Sequence, residues 1–201
     1  HARAEVLADI VPSSRTASEF VSAAQYAGYK NEAGVNPNST TETFFELKLN
    51  VANRRWKGVP FFVTYGKALS KNLVQIKITF REEDSCVCPV DDICHYGNTI
   101  TINVQPEENI SISFWKKTPG LAFGLEEKTL SFKYESGMSG LTDAYEKVLY
   151  DCIVGDQTLF TSTTEVALQW KLISKILEAV KKVELRTYEG GDEVEKIRVL
   201  K

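Results

Sequence analysis

Six short segments of this chain alternate apolar and polar residues with a period of two, and no helical pattern lies between them. Phe45, Leu47, Leu49 and Val51 share one face of the first segment, and Glu46, Lys48 and Asn50 share the other. Val59, Phe61, Val63 and Tyr65 repeat the period after a Trp56-Lys57-Gly58-Val59-Pro60 turn. Val74, Ile76, Ile78 and Phe80 alternate with Gln75, Lys77 and Thr79, and Ile100, Ile102 and Val104 alternate with Thr101, Asn103 and Gln105. Ile110, Ile112 and Phe114 alternate with Ser111, Ser113 and Trp115, and Leu130, Phe132 and Tyr134 with Ser131 and Lys133. Strict alternation marks strands with one buried face. Parallel strands need long crossovers, usually helical, and none is available, so the sheet is expected to be antiparallel with one greasy face.

Helical periodicity sits at the two ends of the chain. Val6, Leu7 and Ile10 suggest the tail of a helix that stops at Val11-Pro12. Phe20 to Tyr26 reads as a short strand, and the Gly-, Asn- and Ser-rich stretch from Ala27 to Thr43 is long enough for a loop with a role. Asp143 with Glu146 caps a helix running to about Val154, where Gly155 stops it. Ser162 with Glu165 forms a capping box ahead of a Val166, Trp170, Ile173, Leu177 and Val180 stripe, which is expected to cover the sheet. Beyond Lys181 the chain is polar around Gly190-Gly191, which suits a hairpin or a loose tail. Strands followed by helices give an α+β class: a large, mainly antiparallel β-sheet with helices packed on one face, as a single domain over residues 1–201.

Composition removes several functional classes. A formal net charge of −3 argues against a general nucleic-acid binder, which would carry a basic stripe. No apolar run approaches the ~20 residues of a membrane-spanning helix, and HARAEVLADIVP has no signal-peptide core. Cys86, Cys88, Cys94 and His95 share one stretch, but C-x-C-x5-C-H is not the spacing of paired zinc knuckles. A loop of free thiols beside Asp91 and Asp92 is the preferred reading, with no metal ligand assigned. No glycine-rich dinucleotide turn, P-loop or G-x-S-x-G is found, and neither His1 nor His95 has a carboxylate at dyad spacing. No catalytic and no cofactor-binding residue is therefore assigned.

One local feature does suggest chemistry. Gly66 ends the second alternating segment, and Lys67 follows it directly. A glycine lets backbone or ligand approach closely, and a lysine there presents a mobile point charge suited to an oxyanion such as a sugar phosphate. On chemistry alone a solvated lysine at a turn is the commoner outcome.

The run STTETFFELKLNVANRRWKGVPFFVTYGKAL, from Ser39 to Leu69, closely resembles the second half of glucose-6-phosphate dehydrogenases. STTETF, R-W-x-G-V-P-F and G-K-x-L recur there in this order. Ile102-Asn103-Val104-Gln105-Pro106, Lys117-Thr118-Pro119-Gly120, Asp143-Ala144-Tyr145-Glu146 and Trp170 match as well, so the likeness runs from about Ala4 to about Val180. The resemblance implies the C-terminal part of an enzyme that oxidises glucose 6-phosphate to 6-phosphogluconolactone with NADP in the pentose phosphate pathway. It places a Rossmann coenzyme domain, a His-Tyr-Leu-Gly-Lys segment and the catalytic histidine before residue 1, so this chain alone is expected to be inactive. Lys67 is then a substrate-pocket residue, and Lys71 is the nearest match to a second phosphate-facing cation. Gln105, from the V-Q-P motif, lines the same pocket or is simply a polar strand residue before proline. The resemblance also implies a cytoplasmic homodimer formed through the sheet, which would cover Phe62 and Trp115, with glucose 6-phosphate and the absent coenzyme domain as partners and no nucleic acid or membrane. Thr64 and Asn103 depart from the residues that hold a second NADP in some relatives. The alternatives are a free-standing, non-catalytic binding or regulatory protein on the same fold, and a metal-dependent module built on the cysteine loop.

Overall fold

The computed structural model describes residues 2–81, 97–120, 124–133 and 144–200. In chain order its elements are α1 (Ala2–Asp9), β1 (Ile10–Pro12), α2 (Ala17–Phe20), β2 (Val21–Tyr26), β3 (Phe44–Val51), β4 (Phe61–Gly66) and β5 (Val74–Thr79). There follow β6 (Thr99–Gln105), β7 (Asn109–Lys117), β8 (Leu125–Lys133), α3 (Ala144–Val154), α4 (Thr163–Val180), β9 (Leu185–Tyr188) and α5 (Val194–Ile197). They group into two compact units, residues 1–71 with 148–201, and residues 72–147. The class is α+β with mainly antiparallel sheets, as the alternation requires. The six alternating segments do not join in one sheet, however. Alternation dictates which side chains share a face, not which strand lies next door.

In the first unit β3 is the central strand. Along one edge it pairs with β4, Phe45 opposite Tyr65 and Leu47 opposite Val63. Along the other edge it pairs with β1 at Leu49–Val51 and with β2 at Phe44–Leu47, all antiparallel. β9 then adds in parallel to the outer edge of β2, Ala23 opposite Leu185. Leu47 and Leu49 meet Phe20, Val21, Ile176 and Ala179 in one core. Alternate residues turn to the other face, where Ala24 and Phe44 pack with Tyr188 and Ile197. Burying each such large apolar side chain contributes about 1.5–3 kcal/mol.

Two expectations about this unit are corrected. The α4 stripe is turned away from its predicted position except at Val180: Leu172, Ile176 and Ala179 pack with Val180 on the sheet core, whereas Val166, Ile173 and Leu177 are exposed and Trp170 is 63% exposed. α4 carries apolar residues on two faces, and the face that packs starts at the capping-box Glu165, which is buried. The segment after Lys181 is neither a hairpin nor a loose tail. It forms β9, turns at Gly191 with φ 90°, and closes with α5, whose Ile197 is buried.

The second unit contains a four-stranded antiparallel meander, β5-β6-β7-β8. Its register sets Ile76 beside Ile102, Ile102 beside Ile110 and Ile110 beside Phe132; the neighbouring rung runs Ile78, Ile100, Ile112 and Leu130. One face is thus a sheet of isoleucines with Leu130 and Phe132. The other carries Gln75, Thr101, Asn103, Asn109, Ser111 and Ser131. Gly155, with φ 74°, ends α3 where a left-handed residue is needed.

Candidate functional site

The Gly66-Lys67 junction lies where β4 runs out beside the start of β3. Phe44 is paired with Gly66, and a Cβ at residue 66 would stand 2.7 Å from Phe44 Cδ2 and 2.8 Å from Leu69 Cδ1. Only hydrogen fits there, so the chain turns tightly over Phe44. The next residues, Lys67 to Ser70, form a loop whose backbone is tied down on nearly every residue. Lys67 N–H donates to Thr43 O at 2.8 Å, and Gly191 N–H donates to Ala68 O at 2.8 Å. Ser70 N–H donates to Asp192 O at 3.0 Å. Leu69 packs on the Ala24–Phe44–Tyr188–Ile197 cluster. Ala68 sits at φ 51°, a left-handed conformation that disfavours an alanine by roughly 1–2 kcal/mol.

The hydroxyl of Tyr188 organises the centre of this arrangement. It donates to Lys67 O at 2.6 Å and lies 3.0 Å from Thr43 Oγ1. A phenol has one proton. Its short bond to Lys67 O takes that proton, so the Thr43 hydroxyl donates to Tyr188 Oη, while Thr43 Oγ1 accepts from Tyr26 N–H at 2.9 Å. Burial raises the Tyr188 phenol above its usual 10.0, which keeps that proton in place. Thr43 belongs to the STTETF run. Upstream in that run, the buried Gln25 donates to Ser39 O at 3.1 Å and Thr41 O at 2.8 Å. Neither Gln25 nor Tyr188 stands out in the sequence. Each acts on residues far along the chain, and its type alone carries no such signal.

The expected site residues fall as follows. Lys67 is exposed at the loop, with its backbone fixed and its ammonium on the solvent side. Lys71 is exposed in the coil that follows. Gln105 is exposed at the end of β6, opposite Val74, and belongs to the second unit. Asn103, on the same strand, accepts from Gln75 Nε2 at 3.0 Å and donates to Asn109 Oδ1 at 2.8 Å, so its amide is engaged across the sheet. Phe62 has Lys48 Nζ 5.5 Å and Arg198 Cζ 5.7 Å from its ring centre, two cation–π contacts. Cys86, Cys88, Asp91, Asp92, Cys94, His95, Asp143 and Tyr134 lie outside the described residues. Among the described residues no group of three His, Cys, Asp or Glu side chains could hold a metal ion, and no helix is long and apolar enough to cross a membrane. A cleft of about 740 Å³ lies between α4 and the β2–β9 edge, lined by Ala23, Thr41, Ser174, Leu177, Lys181 and Leu185, and does not include Lys67.

The arrangement suits electrostatic recognition of an anion. The family model described as the C-terminal domain of glucose-6-phosphate dehydrogenase matches residues 1–196. The glucose-6-phosphate 1-dehydrogenase of Chlamydia trachomatis is 39% identical over 160 residues, covering 75% of this chain and 35% of that protein. The enzyme of the same name from Caenorhabditis elegans is 33% identical over 179 residues, covering 88% of this chain and 34% of that protein. A solved structure of a glucose-6-phosphate dehydrogenase in complex with its substrate glucose 6-phosphate superposes with a TM-score of 0.81 at 28% identity, over 94% of this chain and 40% of that one. The Mycobacterium avium glucose-6-phosphate 1-dehydrogenase gives 0.77 at 23% identity, which speaks to the fold alone. The chain spans about a third of the length of these curated relatives. With a family model matching residues 1–196, curated relatives above 30% identity and a superposing solved structure, the chain belongs to the glucose-6-phosphate dehydrogenase family, as its C-terminal domain.

Proposed function

We propose that this chain is the domain that supplies the phosphate end of the sugar site in a glucose-6-phosphate 1-dehydrogenase. The observation that carries the reading is the Lys67 loop, whose backbone is fixed at residues 67, 68 and 70 while its ammonium stays free to reach an anion. Lys71 adds a second cation to the dianionic tail of glucose 6-phosphate. Each charge-assisted hydrogen bond to a phosphate is worth roughly 1.5–3 kcal/mol.

Oxidation of the anomeric hydroxyl requires a base for the proton and an acceptor for the hydride. In this reading a preceding coenzyme domain supplies both, with NADP as the acceptor, in a cytoplasmic enzyme of the pentose phosphate pathway. Residues 1–201 form one domain of that enzyme in this reading. The isoleucine-rich face of the β5–β8 sheet is the surface through which two copies pair. The chain alone binds glucose 6-phosphate only at about millimolar strength and does not turn it over.

Lys67→Ala in the full-length enzyme, assayed with glucose 6-phosphate and with glucose, tests this. Loss of one phosphate contact raises KM for glucose 6-phosphate about tenfold to a hundredfold and leaves the parameters for glucose unchanged. Equal effects on both sugars, or on neither, would refute the role of Lys67.

A further inference from the structure

We infer that Tyr188 is a positioning residue for substrate phosphate, acting through the peptide plane between Lys67 and Ala68. The inference rests on the reading of Lys67 given above. Tyr188 is 5% exposed, stands 121 residues from Lys67, and places its hydroxyl 2.6 Å from Lys67 O. That carbonyl belongs to the peptide whose far side is Ala68 N. The orientation of the plane therefore sets both where the lysine side chain starts and the φ of Ala68. Ala68 at φ 51° prefers to leave the left-handed region. The plane would turn over if nothing held it, and the Lys67 side chain would be re-aimed with it.

The same segment also holds the loop just beyond that plane. Gly191 N–H binds Ala68 O at 2.8 Å and Asp192 O accepts from Ser70 N–H at 3.0 Å, so residues 188–192 template residues 67–70. Tyr188 itself is fixed on three sides: by the Thr43 hydroxyl, by the Phe44 ring at 5.9 Å and by the Tyr26 ring at 6.2 Å. Its hydroxyl therefore has little freedom to follow a shifted carbonyl. A residue of β9, at the far end of the chain, thus sets the aim of a cation on the β4 loop without touching the ligand.

The test is a set of variants in the full-length enzyme, with KM for glucose 6-phosphate and kcat measured for each. Tyr188→Phe removes one oxygen from a ring whose packing is unchanged. It is expected to raise KM about tenfold, the equivalent of one hydrogen bond, and to change kcat by less than about twofold. In a Lys67→Ala background the same change is expected to add less than about twofold to KM, since the group being aimed is gone. A glycine has no preference against the left-handed region. Ala68→Gly combined with Tyr188→Phe should therefore recover at least half of the lost affinity on a logarithmic scale, and it keeps the test alive if Tyr188→Phe alone accumulates poorly. A KM unchanged by Tyr188→Phe, a full additive effect in the Lys67→Ala background, or no recovery with Ala68→Gly would overturn the inference. A KM unchanged by Lys67→Ala would instead bring down the reading of Lys67 on which it stands.

Discussion

Arg198 Nε donates to Glu46 Oε1 at 2.8 Å across 152 residues of chain, and Glu46 is completely buried. Glu46 Oε2 accepts two backbone bonds from the same tail, from Val199 N–H at 2.9 Å and Leu200 N–H at 3.0 Å. The carboxylate is thus the peg on which the C-terminal tail hangs. The two partners are not equal. Glu46→Ala leaves two N–H groups without their acceptor and the part-exposed Arg198 guanidinium without its partner, and is expected to cost about 2–5 kcal/mol. Arg198→Ala leaves both backbone bonds in place and is expected to cost about 1.5–3 kcal/mol. Urea unfolding of the two variants checks the order. An Arg198→Ala penalty equal to that of Glu46→Ala would show that the backbone bonds contribute nothing.

Gly66→Ala puts a methyl into space that Phe44 and Leu69 already fill, at 2.7 and 2.8 Å. Overpacking of this kind costs about 1–3 kcal/mol. Relief comes most easily by displacing Leu69, since Phe44 is completely buried and paired within β3. The variant is therefore expected to lose stability and also to raise KM for glucose 6-phosphate in the full-length enzyme. A stable variant with unchanged KM would mean that the turn has room the geometry denies it.

The capping box of α4 gives a pH prediction. Ser162 Oγ accepts from Glu165 N–H at 3.2 Å, and Glu165 Oε2 accepts from Ser162 N–H at 2.7 Å. Hydrogen bonding to Ser162, with help from Arg3 at 2.8 Å, holds the Glu165 carboxyl below its usual 4.5. A carboxyl lowered in the folded state stabilises the protein fully above its unfolded value. That contribution is lost as pH falls through the folded value. Glu165→Gln, which keeps an acceptor for the Ser162 N–H but removes the titrating carboxyl, is expected to cost about 1 kcal/mol at neutral pH and to flatten the decline of stability below pH 4.5. Thermal melts of both proteins from neutral pH down to about pH 3 check this, and parallel curves would rule out the capping carboxylate as a source of acid sensitivity.

The sequence makes some of these features plain and hides others for physical reasons. The parity of β3 is legible because Phe45, Leu47, Leu49 and Val51 must share a face, and they do. Glu46 is on the expected opposite face, yet it is buried there, because the chain around Arg198 and Val199, more than 150 residues away, folds back over it, and nothing local to Glu46 announces that. Gly66-Lys67 is visible as a local pair, while the clamp on it comes from Tyr188 and Thr43, which only the fold brings near. The α4 stripe misleads because Trp170 and Ile173 look like core residues at helical spacing, and a helix with two apolar faces does not say which one meets the sheet. Lys71 and Gln105 carry no local geometry that singles them out; their assignment follows from family motifs.

The isoleucine-rich face of the β5–β8 sheet, exposed among the described residues, leads to the last prediction. Leu130 is 63% exposed and Phe132 59%, beside Ile76, Ile78 and Ile112, all exposed. A contiguous isoleucine-rich surface of this kind marks an interaction site, and pairing of two copies across it is the proposed occupant. Leu130→Lys changes a side chain already largely in water within one copy, so folding stability is expected to move by no more than about 0.5 kcal/mol. In a two-fold pair the substitution counts twice. Each lysine replaces apolar area worth roughly 1.5–3 kcal/mol on burial, and the two ammonium groups repel across a dry surface. The variant is therefore expected to sediment as a monomer at concentrations where the unmodified protein is dimeric, with an unchanged melting temperature once dilution has separated both. A Leu130→Lys protein that remains dimeric would exclude this face from the interface, and one that unfolds would show that the face is covered within the chain.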